Sequence, residues 1–194
     1  MFDIRFSVLG NKAEFLTRTS NNEIRISNIK NQTTKMTFVY GDNIDTDRII
    51  AGKYTKTLDM NTLAEHVLED LDPAFKLQVK PGDYLVAGEN FGCGSSREQA
   101  PIALKLSGIS VVIASSFARI FFRNSINIGL TVLEIKNHDI ETGDEIKINL
   151  NKGEVINLTK NKSYFSVPMP KVMIDILKEG GLANYLKKYG DYQL

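Results

Sequence analysis

Between residues 84 and 135 the chain alternates short apolar runs with amphipathic stretches, and glycines mark the exits. Residues 84–87, 109–114 and 130–135 read as strands, rich in β-branched residues and apolar on both faces. Between them lie two helical patterns. One runs to about Ser107 before Gly108, the other from a Ser116 cap to about Asn127 before Gly129. A β-α-β-α-β order leaves few architectures open. Each crossover helix must cover a face of the sheet, so neighbouring strands run parallel and are buried. The expected fold class is α/β, with a mainly parallel central sheet.

The first of these strands empties into Gly88-Glu89-Asn90-Phe91-Gly92-Cys93-Gly94-Ser95-Ser96-Arg97-Glu98. A glycine-rich backbone can approach a ligand closely and expose its N–H groups. A following helix start adds partial positive charge, and Arg97 adds a planar fork suited to a carboxylate or phosphate. The loop therefore reads as a site for an anionic small molecule, with a serine hydroxyl held against it. It is not a P-loop, since no lysine follows the second glycine, and Arg97 stands where a dinucleotide fingerprint needs its third glycine. Arg97 also breaks the glycine spacing of a nucleophile elbow around Ser95. Ser95 and Glu98 have capping-box spacing, which leaves Ser96, Arg97 and the glycines unaccounted for. Pro101 draws the expected helix start toward itself and away from Ser95.

The remainder fits one domain with an extension. Residues 1–35 are rich in Asn, Thr, Lys and Arg with short alternations such as Glu23-Ile24-Arg25-Ile26, and read as an N-terminal extension, at most a weak hairpin. Residues 36–194 are long enough to bury a core. They open with a short strand at 38–41, then the polar turn Asp42-Asn43-Ile44-Asp45-Thr46-Asp47, and a short helix over 61–70. Ile146, Ile148 and Leu150 alternate with polar residues before Asn151-Lys152-Gly153, a hairpin signal. A last helix is expected over 171–178, with a final turn over 182–188.

Composition narrows the function classes. A net charge of +1 excludes charge-driven binding to nucleic acid or membranes, and no apolar run is long enough to span a bilayer. The opening residues lack the basic start and apolar core of a secretory signal, so the expected location is cytoplasmic. Cys93 is the one cysteine, and His66 and His138 are the two histidines. A disulfide within the chain is excluded, an iron–sulfur cluster needs several thiolates, and a zinc site is poorly supplied. No cofactor and no metal ligand set is expected in this chain.

Three motifs together carry a family resemblance: residues 41–47, residues 92–98 and Ser116-Phe117-Ala118-Arg119-Ile120-Phe121-Phe122-Arg123-Asn124-Ser125-Ile126-Asn127-Ile128-Gly129. In this order and spacing they resemble the small subunits of 3-isopropylmalate dehydratase, the swivelling β/β/α domain of the aconitase superfamily, over about residues 36–187. The resemblance implies a division of labour. A large partner subunit holds a [4Fe–4S] cluster whose open iron acts as a Lewis acid on a di- or tricarboxylate substrate. The small subunit closes over that substrate from the other side.

By motif position the resemblance makes Ser95 the catalytic base and Ser96 and Arg97 substrate-binding residues. Asp47, Gly92 and Gly94 take supporting roles. Tyr54-Thr55-Lys56-Thr57 matches the segment that selects the substrate's variable group, with Lys56 and Thr57 in contact with it. Relatives taking a third carboxylate usually carry arginine at the position of Lys56, and relatives taking an isopropyl group are apolar there. The expected activity is that of a hydro-lyase subunit interconverting 2- and 3-isopropylmalate in leucine biosynthesis. A homoaconitase, a methylmalate or dimethylmalate dehydratase, and a non-catalytic swivel-type binding module stay open as alternatives.

Overall fold

The computed structural model describes residues 6–8, 13–18, 24–27, 35–56 and 59–192. They fall into two units that divide between Thr34 and Lys35. The first is an antiparallel meander of β1 (Phe6–Val8), β2 (Ala13–Arg18) and β3 (Ile24–Ser27). The alternation that suggested a hairpin supplies its third strand, with Ile24 opposite Arg18.

In the second unit β4 (Thr37–Val39) is followed by α1 (Thr46–Ile49), a 3-10 turn (Gly52–Tyr54), α2 (Met60–Glu65) and α3 (Phe75–Gln78). Then comes the alternating core: β5 (Tyr84–Ala87), α4 (Gln99–Ser107), β6 (Val111–Ala114), α5 (Arg119–Ile128) and β7 (Thr131–Glu134). The strands form one parallel sheet of order β4-β5-β6-β7.

Strand alternation sorts the side chains into two cores. Leu85, Ala87, Val112, Ala114 and Val132 pack with Ala103, Leu104, Phe121 and Ile126 on the helical face. Tyr84, Val86, Val111, Ile113 and Leu133 face the other way, against Ile146 and Val155 of a second sheet. That sheet is β8 (Ile146–Asn149), β9 (Glu154–Asn157) and β10 (Lys162–Phe165), antiparallel in the order β10-β9-β8. The result is a β/β/α layering. Burying a side chain such as Ile113 or Leu85, both at 0% exposure, contributes about 1.5–3 kcal/mol. The chain ends in α6 (Lys171–Lys178) and α7 (Leu182–Tyr189).

Three local expectations are corrected. Ser116 does not cap α5: Ala118 occupies the cap position without a side-chain bond, and the Ser116 hydroxyl accepts from Asn90 N at 2.8 Å instead. The C-terminal hairpin is a three-stranded sheet. The final turn is a full two-turn helix, because Tyr185, 1% exposed, gives it a core anchor.

Candidate active site

The C-terminal ends of adjacent parallel strands are where open α/β sheets bind ligands, and β4 and β5 deliver the two motif loops there side by side. The backbones stay laced beyond the sheet. Gly88 N donates to Gly41 O at 3.1 Å, Asn43 N to Glu89 O at 2.8 Å, Gly92 N to Ile44 O at 2.7 Å and Thr46 N to Cys93 O at 2.9 Å. Asp42 Oδ1 accepts Glu89 N at 2.7 Å, and a Cβ at Gly88 would overlap that carboxylate. The third motif joins from the other side: Phe91 N donates to Ser116 O at 3.0 Å and Ala118 N to Phe91 O at 2.9 Å. The Phe91 ring meets Phe121 edge-on at 5.2 Å. All three motifs therefore converge on one rigid clasp.

Gly92 and Gly94 sit at φ 76° and 89°, a conformation that disfavours any side chain. Gly92 also lies against Phe121, whose ring a Cβ there would overlap. These two residues turn the chain so that Gly94, Ser95 and Ser96 reach the surface, all exposed. Ser95 does not cap α4: Glu98 holds the cap position with no side-chain bond. Its hydroxyl lies 3.2 Å from Thr46 Oγ1, which also donates to Ser95 O at 3.1 Å. Thr46 is 1% exposed, so the serine is held by a buried neighbour. Sequence reasoning missed Thr46. Its signal was its place in the polar turn, one residue before Asp47.

Arg97 is half-buried, and its Nη1 pairs with Asp47 and donates to Ile50 O at 3.4 Å. Gly52 lies beneath it, a Cβ there coming 3.2 Å from Arg97 Nη2. Asp45, two residues before Asp47, caps α1 by accepting Arg48 N at 2.8 Å. The acidic turn thus divides its work: Asp45 caps the helix and Asp47 orients the arginine. Gln99 Nε2 reaches Thr55 O at 3.3 Å, tying the start of α4 to the segment that ends in exposed Lys56. Thr57 lies outside the described residues.

The remaining candidates lie elsewhere. Arg119 and Arg123 line a cleft of about 610 Å³ between α5, α6 and α7, walled by Phe122, Met173 and Ile176. His138 Nε2 sits 3.3 Å from Ala87 O while its Nδ1 is buried without a hydrogen-bond partner. His66 Nδ1 meets Glu69 Oε2 at 2.6 Å. Among the described residues no three of His, Cys, Asp and Glu gather as a metal set, and no helix is long and apolar enough to cross a membrane. What the clasp offers is an exposed serine hydroxyl with a threonine partner, beside a guanidinium fixed by a carboxylate.

Known proteins resemble this chain over most of its length. The Aconitase C-terminal domain family matches residues 12–138. The 3-isopropylmalate dehydratase small subunit of Thermodesulfovibrio yellowstonii is 56% identical over 151 residues, 77% of this chain and 90% of the relative. Small subunit 2 of the same enzyme from Archaeoglobus fulgidus is 53% identical over 156 residues, 80% of this chain and 94% of the relative. The crystal structure of 3-isopropylmalate dehydratase (leuD) from Methanocaldococcus jannaschii superposes with a TM-score of 0.76 at 48% identity, covering 80% of this chain and 93% of that one.

Proposed function

The chain belongs to the 3-isopropylmalate dehydratase small subunits within the Aconitase C-terminal domain family, and we propose that it supplies the proton-handling half of a two-subunit hydro-lyase. The reaction interconverts 2-isopropylmalate and 3-isopropylmalate in leucine biosynthesis. Water is removed across a carbon–carbon bond and returned with the hydroxyl on the neighbouring carbon. The observation that carries this reading is the exposed Gly94-Ser95-Ser96 tip, presented on a braced clasp and outside the 610 Å³ cleft. A tip displayed in this way is half a site, and the large subunit closes it.

The [4Fe–4S] cluster is assigned to that large subunit, because Cys93 is this chain's only cysteine and no described donor set fits a cluster. Ser95 removes the proton from the carbon beside a substrate carboxylate and later returns it. A serine alkoxide needs donors in a dry site, and Thr46 supplies one: it has one hydroxyl hydrogen and two acceptors, Ser95 O and Oγ. In the charged state that hydrogen goes to Oγ. Arg97, aligned by Asp47, and Ser96 bind a carboxylate, a role for which a planar fork is better suited than a lysine. Lys56 and Thr57 contact the variable group. Residues 36–194 form the swivel domain, residues 1–35 an extension, and the protein works in the cytoplasm.

The test is a substrate panel on the reconstituted two-subunit enzyme: 2-isopropylmalate, homoaconitate and a methylated malate. Turnover with 2-isopropylmalate preferred supports the assignment. Preference for either of the others moves this chain to a related dehydratase.

A further inference from the structure

The 3-10 turn at Gly52–Tyr54 is gripped from both sides. On one side stands the substrate site: Gly52 underlies Arg97, Ile50 O accepts Arg97 Nη1, and Thr55 O accepts Gln99 Nε2. On the other side is Glu69. Its Oε1 lies 3.0 Å from Lys53 Nζ and its Oε2 2.6 Å from His66 Nδ1. The His66 ring stacks flat on Tyr54, with centroids 3.8 Å apart and planes 7° from parallel. Lys53 Nζ lies 4.6 Å from the centroid of the same Tyr54 ring. Three side chains from two segments thus interlock around one carboxylate.

The backbone is bent to make this possible. Leu68, the residue before Glu69, sits at φ 57° although it is not glycine, and it is 0% exposed. Such a conformation is strained for a bulky side chain and persists only where the surroundings impose it. Leu68 N donates to Ile49 O at 2.8 Å, which ties the bend directly to the end of α1. The bend sets the carboxylate of the next residue against the turn. Burial works against the charge on Glu69, yet hydrogen bonds from Tyr54, His66 and Lys53 hold its pKa down to about 2.

We propose that Glu69 is a positioning residue for substrate recognition: by locking Lys53, Tyr54 and His66 together it fixes the turn beneath Arg97 and the segment leading to Lys56. The proposal rests on the reading of Arg97 and Lys56 as substrate-binding residues. Without Glu69 the turn loosens, and the substrate's carboxylate and variable group meet groups that are no longer aligned.

Two measurements test it. The first uses the isolated full-length chain and needs no activity. Tyr54 N and Thr55 N donate to Ala51 O and Gly52 O, so their amide hydrogen exchange should accelerate at least about tenfold in Glu69→Ala while the amides of α4 keep their rates. The second uses the reconstituted enzyme. Glu69→Gln should raise KM for 2-isopropylmalate roughly tenfold with kcat within about twofold, the pattern of lost binding rather than lost chemistry. His66→Phe, which keeps a ring on Tyr54, should give a smaller rise. A purely structural role would instead lower thermal stability and active fraction with KM unchanged. Unchanged exchange in Glu69→Ala overturns the lock, and unchanged KM in Glu69→Gln overturns its role in recognition. If wild-type enzyme turned over no hydroxy-dicarboxylate, the functional reading and the proposal built on it would both fall. The exchange result would still separate that failure from the absence of a lock.

Discussion

Replacing Thr46 with valine removes one hydroxyl from a position 1% exposed and changes little else. In the resting chain the loss is small. Ser95 O keeps its bond from Arg97 N at 2.8 Å, and the exposed Ser95 hydroxyl turns to water. One ordinary hydrogen bond is worth about 0.5–1.5 kcal/mol, which lowers Tm by about 2–4 °C per kcal/mol in a chain of this size. The transition state is different. There Ser95 Oγ carries negative charge, and a hydrogen bond to a charged group is worth about 1.5–3 kcal/mol. At about 1.4 kcal/mol per tenfold, kcat should fall roughly 10–140-fold. Steady-state assay of the reconstituted enzyme, beside a melting curve of the chain, separates the two effects, and Thr46→Ser should restore most of the rate. A Thr46→Val enzyme with kcat within twofold of wild type would refute the assignment of Thr46 as the alkoxide's donor.

Three further outcomes follow from the same geometry. Asp47→Asn frees the Arg97 guanidinium; Asp47 is 61% exposed, so stability should change by less than about 1 kcal/mol while kcat/KM falls about tenfold. Gly92→Ala places a Cβ against Phe121 at φ 76° and should destabilise the chain by roughly 2–5 kcal/mol in denaturant titration, from left-handed strain plus overpacking. Burial opposes the charge on Glu69, but hydrogen bonds from Tyr54, His66 and Lys53 push its pKa down to about 2 from the ordinary 4.5. Its stabilisation is therefore complete above about pH 4.5 and fades as pH falls toward 2, so Glu69→Gln should flatten that part of the acid unfolding curve.

The central sheet was legible because β5 and β6 are buried on both faces and so carry unbroken apolar runs, with glycines fixing the helix ends. The loop stood out for a related reason: capping-box spacing covers Ser95 and Glu98 but leaves Ser96, Arg97 and the glycines unaccounted for by local pattern. β10 was missed because Lys162–Phe165 is an edge strand, largely exposed, and shows almost no apolar alternation. Ser116 was misread because a serine before a helical pattern looks like a cap, whereas tertiary contact with Asn90 claimed its hydroxyl. Thr46 was overlooked because its partner lies 49 residues away, and local pattern carries no trace of such a pairing.

The most direct test of the account measures conversion of 2-isopropylmalate to 3-isopropylmalate in four samples: this chain alone, the large subunit alone, the two mixed, and the mixture carrying Ser95→Ala. The mixture alone should turn over, and Ser95→Ala should assemble normally yet lose about 10²–10⁴-fold in kcat. Turnover by the isolated chain, or a Ser95→Ala mixture that keeps most of its rate, would contradict the claim that this chain contributes the proton-transferring half of a shared site.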